Sequence, residues 1–162
     1  MDAFSRTFLP AAAEAGVAIP AIGRHLPLLR RCVSADDTAI LVTRCVRPTR
    51  PRGDFLLLLT QRRLVVTQES RLMHRLHLHL NVELRHLSNV TWNPDLRMAG
   101  VELAATVVDG VRERFWIKVG HPKQVWRLDA LLNRAFQANA RSPFGGGLPA
   151  AERIATGCHV PR

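Results

Sequence analysis

The chain has 162 residues, 47% of them apolar, which suits one globular domain able to bury about two thirds of its unfolded surface without metal or disulfide staples. Lys and Arg number 23, all but two of them Arg, against 13 Asp and Glu; the resulting +10 excludes an acidic solvating protein and leaves anionic partners open. Cys32, Cys45 and Cys158 stand far apart, odd in number and without a C-x-x-C pair, so neither a disulfide framework nor a zinc ribbon is indicated and a reducing, cytoplasmic compartment is the default expectation.

Residues 1–31 read as an N-terminal arm and a short helical lead-in. The arm is rich in Ala and Pro without a sustained period. Its apolar residues from Phe8 to Ile22 are broken by Pro10, Glu14, Gly16 and Pro20, and Asp2 stands where a secretory leader would be positive. No signal peptide is expected, and no stretch reaches the roughly 18 uninterrupted apolar residues that cross a bilayer. Ala21 to Arg31 reads as a short helix that Pro27 kinks or restarts.

After Ser34-Ala35-Asp36-Asp37 the period becomes that of strands. Ala39 to Arg47 and Asp54 to Thr60 are apolar, β-branched runs around the link Pro48-Thr49-Arg50-Pro51-Arg52-Gly53, which suggests a hairpin. Gln61-Arg62-Arg63 turns into Leu64 to Thr67. From Leu72 to Leu84 apolar residues alternate with polar ones for more than ten positions, so one face of that strand is dry and the other, with His77 and His79, is wet. Ser88 to Asn93 adds a short strand. Gly100 to Val108 and Val111 to Val119 flank Asp109-Gly110, a two-residue hairpin signal of type I′. Past Gly120-His121-Pro122, Val125, Leu128, Leu132, Ala135 and Phe136 recur at three and four, with Trp126 and Leu131 widening the stripe: an amphipathic helix that caps the β structure. The expected fold class is mainly β with a C-terminal α-helix, a partly open antiparallel barrel or sandwich of about seven strands. Residues 32–138 form that domain, and 139–162, with their Ser-Pro-Phe-Gly-Gly-Gly-Leu-Pro run, form a flexible tail.

The stretch Phe55-Leu-Leu-Leu-Leu-Thr-Gln-Arg-Arg-Leu-Val-Val-Thr67 is similar to the hairpin "apolar run, Leu-Thr-Asp-Arg-Arg-Leu, apolar run", with Gln61 in place of the Asp. Ser34 to Asp37, Leu87-Ser-Asn-Val90 and Lys123-Gln-Val-Trp-Arg-Leu128 match in the same order. Over about Leu26 to Phe136 the chain thus resembles the pleckstrin-homology (PH) superfold, and more closely its bacterial PH-like and GRAM-like relatives. The resemblance implies a non-enzymatic binding or scaffolding module. In eukaryotic PH domains the loop between the first two strands, with basic residues around it, grips inositol phosphates.

Here Arg44, Arg47, Arg50, Arg52, Arg62 and Arg63 lie on or near the first two hairpins, and guanidinium forks suit phosphate oxygens. The expected anion site is Arg47, Arg50, Arg52, Arg62 and Arg63, gathered at one end of the barrel and docking on anionic lipid headgroups at the inner membrane face. The alternative is a protein-protein assembly module, a homo-oligomer or the partner of a membrane protein, using Leu72 to Leu84 as an edge strand. His74, His77, His79 and His86 lack a third ligand by any readable spacing, so no metal is expected. No nucleophile elbow, phosphate loop or metalloprotease motif occurs, so neither catalytic residues nor a cofactor are expected, and Cys45 reads as a buried strand cysteine. Dispersed Trp92, Trp116 and Trp126 and the absence of Tyr disfavour specific nucleic-acid binding, although Arg112, Arg114 and Lys118 flank Trp116.

Overall fold

The computed structural model describes residues 1–140, and the side chains of these except at 50–52 and 139–140. The elements are α1 (Ala3–Glu14), α2 (Ile19–Cys32), β1 (Ala39–Arg47), β2 (Arg50–Thr60), β3 (Arg63–Glu69), β4 (Leu76–Glu83), a 3₁₀ turn (Leu84–His86), β5 (Ser88–Asp95), β6 (Gly100–Thr106), β7 (Arg112–Lys118) and α3 (Pro122–Ala140). The strands form one antiparallel sheet in the order β4-β3-β2-β1-β7-β6-β5. Seven antiparallel strands with a C-terminal helix are the expected class. The flexible tail expected over 139–162 lies outside the described residues, apart from the helical backbone of 139–140.

The sheet curls because its inner face closes on one core. Leu41, Phe55, Leu57, Leu64 and Val66 from its first half meet Val101, Leu103, Phe115 and Ile117 from its second. The seam between the halves is narrow, with a single pair, Val46 opposite Trp116, joining β1 to β7. α3 lays Val125, Leu128, Leu132, Ala135 and Phe136 into the same core, and Trp92 locks it to β5 by stacking on Phe136 and donating Nε1–H to Asp129 at 2.8 Å. Trp126, expected in the apolar stripe, instead stands mostly in solvent, because the stripe closes without it.

The run Phe55 to Leu59 has no period because β2 is buried on both faces. Leu57 and Leu59 face inward, whereas Leu56 and Leu58 face outward into a second core. That second core is made by the N-terminal residues: Phe4, Phe8 and Ala12 of α1 and Ile22 and Leu29 of α2 pack on Val42, Leu56, Leu58 and Val65. Pro10 and Pro27 are accommodated inside α1 and α2. The aperiodic Ala- and Pro-rich stretch is therefore a helix of twelve residues docked on the sheet.

Two local expectations are corrected. The β6–β7 turn has positive φ at Gly110 (83°) but not at Asp109, and Gly110 N–H bonds to Val107 O at 2.9 Å. It is thus the longer turn with one left-handed glycine, in place of type I′. On β4 the alternation breaks where Val66 pairs with Leu80 and Thr67 with Leu78, leaving His79 as the extra residue of a bulge. The bulge turns His79 inward, edge-on to Phe55 and Phe115, so it does not share a wet face with His77. β4 is an edge strand, as the sequence suggests.

His25 of α2 is buried, with Nδ1 2.7 Å from Thr67 Oγ1 and Nε2 3.7 Å from Glu69. Burial pushes its pKa below the ordinary 6.5, opposed by the Glu69 charge. The unfolded chain then takes up a proton at a pH where the folded protein does not. Stability is complete above pH 6.5 and falls as pH drops through that value toward the folded pKa. Urea midpoints measured at neutral and mildly acidic pH should diverge less in a His25→Gln variant than in the natural protein. Equal slopes would contradict the assignment.

Candidate functional site

The pairing register decides where the arginines stand. Arg47 opposes Arg50 at the tip of the β1–β2 hairpin, and Ala39 opposes Thr60 at its other end, next to Arg62 and Arg63. Eleven-residue β2 separates the two groups by roughly 33 Å at strand rise. The expected gathering of Arg47, Arg50, Arg52, Arg62 and Arg63 at one end does not occur, because the β2–β3 turn lies at the opposite end of β2 from the β1–β2 tip. Arg62 pairs with Asp36 at 3.0 Å; Arg63 donates to Asn81 at 2.8 Å and Glu83 at 3.3 Å.

At the tip end, Arg47 is turned to the barrel rim. Its Nη2 donates to Glu113 Oε2 at 3.0 Å, the atom that His79 Nε2 also approaches at 3.2 Å. The side chains of Arg47 and Glu113 are only 18% and 11% exposed, and Arg47 Nε is buried without a hydrogen-bond partner among the described residues. Its charge is thus matched within the fold. Arg50 and Arg52 stand on β2 beside the tip.

The cations that do face solvent here were not all singled out by the sequence. Arg44 and Arg71 both donate to Asp54 Oδ1, at 2.9 and 3.2 Å, two positive charges on one carboxylate. The Arg71 hydrogen bond, then both guanidinium charges, hold the Asp54 carboxyl below its usual range. With Val46, Trp116 and Lys118 they border a cleft of about 430 Å³. Trp116 packs so closely over Gly100 that a Cβ there would collide with the indole and sit 2.8 Å from the Ile117 carbonyl.

The β3–β4 turn rises beside this cleft as Arg71-Leu72-Met73-His74-Arg75, closed by Ser70 N–H to Arg75 O at 2.9 Å. Leu72 and Met73 are 96% and 64% exposed. The alternating pattern of the following strand hides this turn in the sequence, because Leu72 fits that pattern, and His74 is the one residue that interrupts it. Val108 and Val111 in the β6–β7 turn, ahead of the N-terminal end of β7, are also exposed.

The other candidates are accounted for locally. Arg112 is bonded to Asn89, Thr91 and Thr106, and Arg114 lies 3.9 Å from Glu102, so two of the three cations flanking Trp116 have partners in the sheet, and the third, Lys118, borders the cleft. Cys45 is buried, which pushes its thiol up to about 12 and leaves no thiolate to attack anything. Among the described residues no three His, Cys, Asp or Glu gather in a way that could hold a metal, and no helix is long and apolar enough to cross a membrane.

Seven antiparallel strands curl on one core, closed at the end away from the β1–β2 tip by a C-terminal helix, the architecture that the sequence resemblance leads one to expect. No protein-family model and no curated protein matches the chain. Among solved structures, the Ran-binding domain of the nuclear complex component Nup2 from Ashbya gossypii is similar, with a TM-score of 0.40 and 20% identity, covering 63% of this chain and 97% of that one.

Proposed function

We propose that the protein is a non-enzymatic binding module that docks its hairpin-tip end on an anionic membrane surface. The observation that carries this reading is the β3–β4 turn, where two exposed apolar side chains, Leu72 and Met73, stand between Arg71 and Arg75. Water is a poor solvent for the apolar pair, and the boundary between headgroups and acyl chains is a good one. Cations beside them meet lipid phosphates, each contributing about 1 kcal/mol near an anionic leaflet. Arg44, Arg50, Arg52 and Lys118 lie at the same end and add to that field, and Arg62 and Arg63 do not. Affiliation with bacterial GRAM-like relatives rests on the Phe55 to Thr67 hairpin and agrees with this use of the fold.

Co-sedimentation of the full chain with phosphatidylcholine vesicles, with and without phosphatidylglycerol, tests the reading. Bound protein should rise with phosphatidylglycerol, fall with salt, and drop to background in a Leu72→Asp/Met73→Asp variant, whose changes fall on exposed positions. Binding that ignores lipid charge, or survives that variant, overturns it. Concentration-dependent self-association without lipid binding would favour assembly through the open edges β4 and β5 instead.

A further inference from the structure

At the opposite end of β1 and β2 lies a larger feature. On α1, Arg6, Pro10 and Glu14 recur every four residues, and on α3, Arg127, Leu131, Arg134 and Ala138 recur at four, three and four, so each set forms one stripe of its helix. The two stripes face each other across a groove of about 830 Å³, floored by the first residues of β1 and by Arg62. We propose that this groove is a docking site for an acidic segment of a partner protein that carries an apolar anchor residue.

Charge sets the sign of the occupant. Among the described residues, four arginines and one carboxylate line the groove. Arg127 is matched by Glu14 at 2.6 Å and Arg62 by Asp36 at 3.0 Å. Arg6 and Arg134 have no ion-pair partner among the described residues, so the concavity holds two uncompensated guanidinium groups. An occupant bearing carboxylates would pair with both and compete with Glu14 for Arg127.

Shape sets the rest. From Arg6 to Glu14 the groove wall is about 12 Å long, and from Arg127 to Ala138 about 16 Å, enough for two to three helical turns or four to five extended residues. Beneath the Glu14–Arg127 pair the groove adjoins a pocket of about 70 Å³ lined by Ile40, Leu41, Ile117, Leu128 and Leu131. One water needs only about 10–15 Å³, so this slot has room for a small branched side chain. A flat bilayer cannot enter such a concavity, and among the described residues no aromatic side chain lines it for bases to stack on. The chain's own residues 141–162 carry three Arg against one Glu, and a second copy would bring a net charge of +10, so neither complements the groove. This site stands whether or not the hairpin-tip end meets a membrane.

The test is fluorescence anisotropy of the full chain with a labelled peptide, Asp-Glu-Glu-Leu-Asp-Glu-Leu, and with its counterpart carrying Lys at every acidic position. The acidic peptide should bind saturably and more weakly as salt rises, and the Lys peptide should not bind. Arg6→Glu/Arg134→Glu should weaken binding by roughly tenfold or more, as reversal of two partly exposed ion pairs implies. Ala138→Trp, which fills the groove without altering charge, should weaken it too, whereas Leu72→Asp/Met73→Asp should leave it unchanged. The proposal is overturned by absence of saturable binding, by equal binding of the Lys peptide, by full affinity in both groove variants, or by an equal loss in the Leu72/Met73 variant. Oligouridylate that binds with an affinity sensitive to the groove variants, where the acidic peptide does not bind, would assign the groove to nucleic acid and overturn it as well.

Discussion

Phe8→Ala is expected to lower the unfolding free energy by about 3–5 kcal/mol, the cost of emptying a buried phenylalanine site. Phe8 is 1% exposed, and its ring centroid lies 5.2 Å from that of Phe4. It belongs to a core that joins α1 and α2 to the outer face of β1, β2 and β3 through Val42, Leu56, Leu58 and Val65. These four strand residues are at most 1% exposed. Without the helices they would form a contiguous apolar patch in water. Urea denaturation should show a lower midpoint at unchanged slope. A loss below about 1 kcal/mol would mean that the helices ride on a domain stable without them. The same docking builds one wall of the α1–α3 groove, so a chain shortened to the strands and α3 should lose acidic-peptide binding along with stability.

Glu113→Leu is the second large effect, with an expected loss of about 3 kcal/mol, because removing one partner strands a buried charge. Arg47 is the charge at stake. Its Nε already lacks a hydrogen bond among the described residues, and Nη2 depends on Glu113 Oε2 at 3.0 Å. Phe55 and Phe115, edge-on to His79, offer no acceptor to replace the one lost. The Arg47→Leu/Glu113→Leu double variant should recover most of the loss, since two apolar groups suit that rim better than one unpaired guanidinium. A double-mutant cycle by chemical denaturation measures this directly. Losses that simply add would show that the two side chains do not stabilise each other. Unchanged vesicle binding in the double variant is also expected, because Arg47 is already neutralised within the fold.

The candidate site was less legible in the sequence than the fold, for reasons visible in single residues. Period-two alternation placed β4 and β7, and a stripe at three and four placed α3, since both patterns are local. His79 defeated the pattern because one extra residue in a strand reverses every facing beyond it, and only the pairing with β3 reveals the bulge. Arg62 and Arg63 look close to Arg47 because only fifteen and sixteen positions separate them from it in the chain. Antiparallel pairing sends the intervening strand the full length of the hairpin. Phe4 and Phe8 carried no readable stripe, since Pro10 and the small Ala residues of α1 dilute it. Their role depends on outward-facing leucines of β2, which an unbroken apolar run does not assign to either face.

By itself the amino-acid order determined what neighbours along the chain can enforce: seven extended segments, one amphipathic capping helix, and a surplus of arginine. The tertiary structure alone decided which arginines meet carboxylates, which stand unpaired in a groove, and which apolar turn is left in water. Those outcomes depend on register and curl, which bring together residues as distant as Glu14 and Arg127, and no periodicity within a short window encodes a pairing of that span.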